Sequence, residues 1–306
     1  YAAMDTPMNI VEAKRVTKTY TIGERAISVL SDVSLSVEPG EFLVVAGTSG
    51  SGKTTLLSLL SGLDRPSAGR IWIDGKDITD SAEDELAPLR NNLFGFVFQS
   101  FHLVPSLTAL ENVKFPAELR RDADAEDKAR QLLGRIGMLH RIDNFPHQLS
   151  GGEMQRVAIC RALINAPKII FADEPTGNLD SKNGKAILDL LLELHQEQHT
   201  TLILVTHSRE IAKLADRVIV LEDGRINGDA RGGAADALAS IYSKRSLSVS
   251  QSGRDFRIVR RAVHRDAGSG QWVFPQRQRL TVEGCQSAAC RRYYNPVPAG
   301  FFRAAS

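Results

Sequence analysis

The segment GTSGSGKTT, residues 47–55, combines small flexible residues with one lysine and two threonines. It lies between EFLVVA, a run typical of a buried strand, and LLSLLSGL, a run typical of a helix. Glycines let successive backbone amides turn inward, so such a loop can form a concave site for an anion. The first turn of the following helix adds unpaired N–H groups and the positive end of the helix dipole. The segment therefore predicts a phosphate-binding loop.

Individual residues of this segment are suited to holding a polyphosphate. Gly47-x4-Gly52-Lys53-Thr54 fits the P-loop pattern, in the strand–helix context that the pattern requires. Lys53 supplies a mobile positive charge for the β- and γ-phosphates, and Thr54 supplies a hydroxyl that can ligate Mg²⁺. We therefore expect a nucleotide to bind here. The residues of the loop predicted to contact it are Gly47, Thr48, Ser49, Gly50, Ser51, Gly52, Lys53, Thr54 and Thr55.

Two adjacent carboxylates follow a second apolar run, in IIFADEP. Asp173 ends the predicted strand, where its carboxylate could reach a Mg²⁺ ion bound beside the phosphate loop. Glu174 is placed to polarise an attacking water. An Asp-Glu pair after a strand is commonly a solvated turn, but its combination with a P-loop predicts hydrolysis of the bound nucleotide.

A second glycine-bearing helix start occurs in LSGGEMQRVAICRAL, residues 149–163. Ser150, Gly151 and Gly152 precede apolar positions at helical spacing, so backbone amides and the helix dipole could again face a phosphate. Taken alone, this segment would be interpreted as an ordinary capped helix. Cys160 lies on the apolar face of the helix and is expected to pack in the core. One nucleotide needs only one P-loop, so the second loop requires an explanation.

The elements that must position these residues alternate along the chain. Residues 9–46 contain strand-like segments separated by turns, and a hairpin is predicted at Asp74-Gly75. Short apolar runs separated by helical patterns predict a mainly parallel sheet that is covered on both faces. The chain between Gln99 and Lys168 has almost entirely helical patterns and predicts a helical lobe. The fold class is therefore α/β.

Composition places the chain among ordinary globular proteins. Of its 306 residues, 42% are hydrophobic and 24% are charged. No apolar run approaches the length that a membrane span requires, and we expect no signal peptide. Three cysteines do not make a disulfide framework, so a reducing compartment is expected.

A change of charge marks a boundary late in the chain. From Arg231 onward there are 13 Lys and Arg against 4 Asp and Glu, although the whole chain has a net charge of only +2. The contrast predicts a domain over residues 9–229 and a separate basic tail over residues 230–306. The tail could contact nucleic acid or anionic lipid, but we favour a disordered extension or an out-of-frame translation. Cys285 and Cys290 support only a weak metal hypothesis.

In their order along the chain, these motifs resemble those of the ATP-binding cassette ATPases, the motor subunits of ABC transporters. LSGGE lies between a P-loop and FADEP, and the resemblance covers roughly residues 9–229. It implies a P-loop NTPase fold with a mainly parallel core sheet, an antiparallel β subdomain and a helical subdomain over about residues 100–167. It also implies that ATP and Mg²⁺ bind and that ATP is hydrolysed.

The resemblance implies roles for further residues. Tyr20 would stack on adenine, Gln99 would contact Mg²⁺ and water, Asp180 would belong to the D-loop NLD, and His207 would contact the γ-phosphate. Two cassettes of this family face each other head to tail, so residues 150–152 of one copy would complete the P-loop site of the other. This arrangement explains the second loop. The implied catalytic residues are Lys53, Gln99, Glu174 and His207, and the implied Mg²⁺ ligands are Thr54, Gln99 and Asp173.

Two longer segments, FGFVFQSFHLVPSLTALENV and ADEPTGNLDS, resemble a narrower group. They are similar to the lipoprotein-release and macrolide-export ABC ATPases of bacteria. This resemblance implies an integral membrane permease as partner, whose cytoplasmic coupling helix enters a groove of the helical lobe. It also implies a peripheral position at the cytoplasmic face of the bacterial inner membrane.

Two other classes of function remain open. One is a soluble cassette ATPase that acts on nucleic acid. Such proteins interrupt the cassette with coiled coils or zinc modules, whereas the segment between Gln99 and Leu149 is short and has no CxxC pair. The other is a regulatory module that binds nucleotide without hydrolysing it, which the presence of Gln99, Glu174 and His207 argues against. We therefore expect no nucleic-acid partner.

Overall fold

The structure is a computed structural model that describes residues 9–232. Cys285, Cys290 and nearly all of the predicted tail lie outside the described residues. The strands are β1 (Val11–Ile22), β2 (Arg25–Val37), β3 (Phe42–Ala46), β4 (Ala68–Ile73), β5 (Lys76–Asp77), β6 (Phe94–Phe98), β7 (Ile169–Asp173), β8 (Thr201–Thr206), β9 (Arg217–Glu222) and β10 (Arg225–Arg231). The α-helices are α1 (Lys53–Leu60), α2 (Glu83–Leu93), α3 (Ala109–Leu119), α4 (Ala125–Arg135), α5 (Gly151–Leu163), α6 (Ser181–Gln198) and α7 (Arg209–Ala212).

The larger sheet has the strand order β10-β9-β3-β8-β7-β6. The strands from β9 to β6 run parallel to one another, and β10 pairs with β9 in the antiparallel direction. The central strands FLVVA, IIFAD and TLILVT are buried along almost their whole length, because helices and the second sheet cover both faces. The predicted mainly parallel core sheet is confirmed.

A second, antiparallel sheet has the order β2-β1-β4-β5. The predicted hairpin joins β4 to β5 and turns at Asp74 and Gly75, both of which have positive φ. The core between the two sheets includes Leu30 of β2, Leu56 of α1 and Phe171 of β7. This packing places β2 beside the segment that joins β3 to α1, so the antiparallel subdomain contributes a wall to the same region.

The helical lobe consists of α3, α4 and the packed face of α5. Its core includes Val113, Leu133, Met138 and Cys160, all of which are buried. Burial raises the pKa of the Cys160 thiol to about 12, so this cysteine remains protonated and behaves as a core residue, as predicted. Within the part of the chain that is described, no helix is long and apolar enough to span a membrane.

The last strand of the larger sheet extends slightly past the predicted domain end. β10 continues to Arg231, two residues past the predicted boundary at residue 229. The strand extends further because Ala230 and Arg231 still pair with Val218 and Arg217 of β9. The division into a cassette and a tail stays a prediction.

Candidate nucleotide-binding site

Four loops that carry predicted site residues leave the same edge of the larger sheet. The loop that begins at Gly47 follows β3, Gln99 follows β6, Glu174 follows β7 and His207 follows β8. These strands are parallel neighbours, so their carboxyl ends lie side by side. Ligands of open α/β sheets bind outside this edge. The sheet order therefore brings together residues that are far apart in the sequence.

A cleft of about 830 Å³ opens at this edge. Its volume lies within the range of small-molecule and cofactor sites. Among the predicted loop residues, Ser51 does not line the cleft and is buried instead. The lining residues are Val29, Gly47, Thr48, Ser49, Gly50, Gly52, Lys53, Thr54, Thr55, Gln99, Asp173, Glu174 and His207.

Two glycines give the loop its shape. A Cβ atom at Gly47 would lie 2.4 Å from the carbonyl oxygen of Leu221 and 2.6 Å from the hydroxyl of Ser51. Gly52 has a φ of +98°, and a Cβ there would lie 2.8 Å from the side chain of Leu30. Only glycine fits both positions without a shift of the backbone. The N-terminus of α1 then opens directly into the cleft, as an anion site requires.

The Gly47→Ala variant tests this packing. We expect it to lose at least about 2 kcal/mol of folding stability, because the new methyl group would overlap a backbone oxygen, which cannot move aside as a flexible side chain can. Gly184→Ala is the matched control, since a Cβ at this position of α6 would meet Thr176 at an ordinary distance of 3.5 Å. Urea denaturation of both variants gives the comparison. Equal stabilities would show that the loop does not need glycine at position 47.

Lys53 begins α1 and its side chain folds back over the loop. The residue is 8% exposed, and its Nζ donates a hydrogen bond to the carbonyl oxygen of Thr48 at 3.0 Å. The ammonium group therefore lies inside the curve of the loop, where it is partly shielded from water. A charge held there interacts more strongly with a phosphate than one in bulk solvent.

Asp173 has a carboxylate oxygen that no group in the described structure satisfies. Its Oδ1 is buried and has no hydrogen-bond partner. Burial raises the pKa of Asp173 above its usual value, whereas a hydrogen bond with Thr54 and the charge of Lys53 oppose that shift. An unpaired carboxylate oxygen beside a hydroxyl is a donor set that suits a hard cation such as Mg²⁺. The residues present therefore fit the ion that the sequence predicts.

Glu174 is held in an unusual backbone conformation. Its φ is +46°, in the left-handed region, and its amide donates to the carbonyl oxygen of Val205. The side-chain oxygens contact His207 Nδ1 at 2.9 Å and accept a hydrogen bond from Thr206 Oγ1 at 3.3 Å. Such strained residues are concentrated at functional sites. The two carboxylates of the Asp-Glu pair thus face different groups, although they are adjacent in sequence.

Gln99 forms hydrogen bonds with Asn178, a residue for which the sequence predicted no contact. Its Nε2 donates to Asn178 Oδ1 at 3.1 Å, and Asn178 Nδ2 donates to the backbone oxygen of Gln99 at 3.0 Å. Gly177 permits this approach, because a Cβ there would lie 2.8 Å from Gln99 Nε2. Asn178 is part of the NLD segment, so the motif pointed to it. Val29, by contrast, occupies the cleft wall without any sequence signal.

Several predicted residues lie outside the cleft. Tyr20 does not line it, and its hydroxyl donates to Asp64 at 2.7 Å. Asp180 caps α6 by accepting hydrogen bonds from the amides of Lys182 and Asn183. These bonds lower the pKa of Asp180, so the carboxylate remains charged. A single copy of the chain uses Asp180 as a helix cap and does not present it to the cleft.

The second glycine-bearing loop is also separate from the cleft. Ser150 caps α5, and its hydroxyl and the side chain of Glu153 form a reciprocal capping box. Ser150 is exposed, and Gly151 and Gly152 pack near the NLD segment and the start of α6. The structure therefore brings the P-loop, Gln99, the two carboxylates and His207 together, but it does not bring residues 150–152 to them.

Comparisons with known proteins find relatives among the ABC transporters. The family described as ABC transporter matches residues 30–177. An uncharacterized ABC transporter ATP-binding protein, MJ1508 of Methanocaldococcus jannaschii, is 48% identical over 219 residues, which are 71% of this chain and 97% of that protein. The macrolide export ATP-binding/permease protein MacB of Agrobacterium fabrum is 42% identical over 277 residues, which are 90% of this chain and 42% of that protein. The chain thus spans about two-fifths of the length of this MacB relative.

Solved structures extend the likeness to the fold. A dimeric post-hydrolysis state of the ATP-binding cassette MJ0796, bound to ADP and Pi, is 43% identical and has a TM-score of 0.69. That match covers 72% of this chain and 98% of the other. The sequence identities, the share of each chain that is covered and the meeting of the motif loops at one sheet edge all indicate the same family. The chain belongs to the ATP-binding cassette ATPases of ABC transporters.

Proposed function

We propose that the chain hydrolyses Mg-ATP in a dimer of two copies and transmits the resulting movement to a membrane permease. This proposal rests on the four loops with predicted site residues that meet at the carboxyl edge of one sheet. The glycine-bearing loop of residues 150–152 does not join them. The first set can hold and hydrolyse a triphosphate, and the separate loop is available to a second copy. Each part of the proposal has its own support.

The positions of the cleft residues support a separate role for each of them in binding and hydrolysis. The amides of the loop and Lys53 hold the phosphates, and Glu174 orients the attacking water and accepts its proton. His207 contacts Glu174 and is 71% exposed in its side chain, so it can turn toward a γ-phosphate. Gln99 lies between the cleft and Asn178 and can respond to the phosphate end of the nucleotide.

The residues Thr54 and Asp173 would hold Mg²⁺, with Gln99 near them. The unpaired Oδ1 of Asp173 and its bond with Thr54 support this assignment. When bound, the ion would neutralise charge that develops on the transferred phosphoryl group.

The position of Ser150 supports a composite site. Ser150 is exposed at the N-terminus of α5 and does not line the cleft of its own chain. The solved structures of the similar cassette MJ0796 are dimeric. In a head-to-tail dimer, the start of α5 from one copy would face the γ-phosphate that the other copy holds, with Asp180 nearby. Each copy would then supply half of two sites.

A complementation experiment tests the composite site. Ser150→Arg should disable the half of the site that the second copy supplies, and Glu174→Gln should disable the half that contains the P-loop. Each variant alone should therefore have almost no ATPase activity. An equimolar mixture should recover up to about a quarter of the wild-type rate, because half of randomly formed dimers are mixed and each contains one intact site. Recovery also proves that both variants fold. Phosphate release measures the rate.

The control places both substitutions in one chain. Mixing this double variant with wild-type protein produces mixed dimers in which each site has one defective half. These dimers should be inactive, so the mixture should show only the activity of wild-type dimers. Both mixtures should therefore show about a quarter of the wild-type rate. No recovery in the first mixture, together with about half of the wild-type rate in this control, would contradict a site shared between copies.

A groove between α2, α3, α5 and β6 supports the permease interaction. It has a volume of about 390 Å³ and is lined by aromatic side chains, including Phe96, Phe98 and Phe115. Phe115 is 42% exposed and Leu119, one turn further along α3, is 63% exposed, so this groove presents neighbouring apolar surface to a partner. We assign this groove to a coupling helix of a permease, at the cytoplasmic face of a cell membrane. Purification with a candidate permease, and loss of that interaction in Phe115→Asp, would test the assignment.

The narrower assignment is to the lipoprotein-release and macrolide-export type. It is supported by MacB relatives of several organisms, which are named as macrolide export ATP-binding/permease proteins. The relatives carry transporter names, and this favours a permease over nucleic acid as the partner. The cassette is proposed to end near residue 229, with the basic tail of residues 230–306 dispensable for ATP hydrolysis.

A further inference from the structure

Tyr20 belongs to a compact group of side chains at the outer end of the antiparallel sheet. Its hydroxyl donates to Asp64 Oδ2 at 2.7 Å. The other oxygen of Asp64 accepts from Lys18 Nζ at 2.6 Å and from the amide of Arg65 at 2.7 Å. Lys18 also donates to the carbonyl oxygen of Arg65 at 2.6 Å. Two short segments, 44 residues apart at Tyr20 and Asp64, are thereby joined.

The same group covers one face of the tyrosine ring. The ammonium of Lys18 lies 4.8 Å from the ring centroid, within the range of a cation–π interaction. Lys18 is 9% exposed, whereas Tyr20 retains 38% of its surface. The buried lysine therefore supports the ring from one side, and the ring keeps an exposed surface for a ligand.

Contacts with α1 relate the ring to the phosphate loop. Thr55 lies close enough to Tyr20 to lower the pKa of its hydroxyl, and Thr55 also lines the cleft. Asp64 lies shortly after the end of α1. Tyr20 thus has neighbours near both ends of α1, the helix that begins at Lys53. These neighbours restrict both the orientation of the ring and its distance from the phosphate site.

The charge state of the group is stable. Burial raises the pKa of Tyr20, and the carboxylate of Asp64 raises it further, so the hydroxyl keeps the proton that it donates. Burial alone would favour neutral Asp64, but hydrogen bonds from Lys18 and Tyr20 outweigh it and lower the pKa of the carboxyl. Asp64 therefore remains an acceptor for both neighbours near neutral pH.

We propose that Lys18 and Asp64 are positioning residues that hold the ring of Tyr20 ready to stack on the nucleobase of the bound nucleotide. The inference rests on the stacking contact with adenine that the family resemblance implies for Tyr20. A stacking ring that is already oriented loses less conformational entropy on binding. Removing the hydrogen bond between Tyr20 and Asp64 should weaken binding of the base and leave binding of the phosphates unchanged.

The experiment compares two ligands on the full chain. Mg-ATP contains a base, whereas inorganic tripolyphosphate with Mg²⁺ has the phosphates alone, and calorimetry gives a Kd for each. Tyr20→Phe keeps the ring but loses its bond to Asp64, and Asp64→Ala removes the bond from the other side. Each should raise the Kd of ATP about threefold or more, with the Kd of tripolyphosphate unchanged.

A double substitution and a control complete the test. In the Tyr20→Phe background, Asp64→Ala should cause little further change in the Kd of ATP if it acts through the tyrosine hydroxyl. Asp122→Ala is the matched control, because Asp122 accepts a 2.5 Å bond from Lys128 on the helical lobe, away from the cleft. It should leave the Kd of ATP unchanged.

Other outcomes distinguish an error in the stacking assignment of Tyr20 from an error in the positioning role of its neighbours. If Tyr20→Ala leaves the Kd of ATP unchanged, the stacking assignment itself fails. If Tyr20→Ala weakens ATP binding but Tyr20→Phe and Asp64→Ala do not, only the positioning role is wrong. Equal weakening of ATP and tripolyphosphate would also overturn that role, since it would indicate a general effect on the loop. If Asp64→Ala fails to fold, Tyr20→Phe alone decides the question.

Discussion

Replacing Glu174 with glutamine should lower kcat for ATP hydrolysis by at least about 100-fold, because a neutral amide cannot accept a proton from the attacking water. The side chain keeps its size, and Thr206 can still donate to an amide oxygen in the position of Oε2. Binding of ATP should therefore be retained. Dimers should accumulate when ATP is added, because hydrolysis no longer separates the two copies. Phosphate release and analytical ultracentrifugation measure the two effects.

The control for this change is Glu197→Gln. Glu197 is an exposed residue of α6 that pairs with Arg135 at 2.6 Å, so its substitution removes the same charge without touching the cleft. Its kcat should match that of wild type, because exposed ion pairs contribute little. An unchanged kcat in Glu174→Gln would remove this residue from the mechanism. A loss that appeared only as weaker ATP binding would instead indicate a contact with the ground state.

Replacing Lys53 with alanine should weaken the binding of Mg-ATP by roughly 100-fold, since two or more charge-assisted hydrogen bonds to phosphate oxygens are lost. The ammonium is nearly buried and already lies over the loop, so little reorganisation is needed when a nucleotide binds. Calorimetric titration of the full chain gives the Kd. The measurement should be made at one fixed salt concentration, because charge–charge contacts are screened by ions.

Lys168→Ala is the control for the loss of a positive charge. Lys168 is exposed and pairs with Asp74 at 2.7 Å, at the opposite end of β7 from Asp173. Its Kd for ATP should equal that of wild type. If Lys53→Ala binds ATP as tightly as this control, the lysine does not contact the phosphates. The melting temperatures of both variants show whether either change disturbs the fold.

Local sequence patterns were sufficient to predict the family, the α/β class and most residues of the cleft. The P-loop, FADEP and the run ending in His207 are short segments, and each carries its own local signals: small residues for the loop, apolar runs for the strands and polar residues directly after them. Consecutive residues therefore specify both the element and the group at its end. The rule that parallel strands share one carboxyl edge then brings the groups together.

Only the tertiary structure decided the contacts between distant segments. The paired amides of Gln99 and Asn178 join residues 79 positions apart, and no local pattern records which side chains will meet. The positive φ of Glu174 and the support of Tyr20 by Asp64 likewise depend on neighbours from other elements. Packing also showed that Ser150 does not line the cleft of its own chain, since its position depends on how α5 packs against the sheet and the lobe.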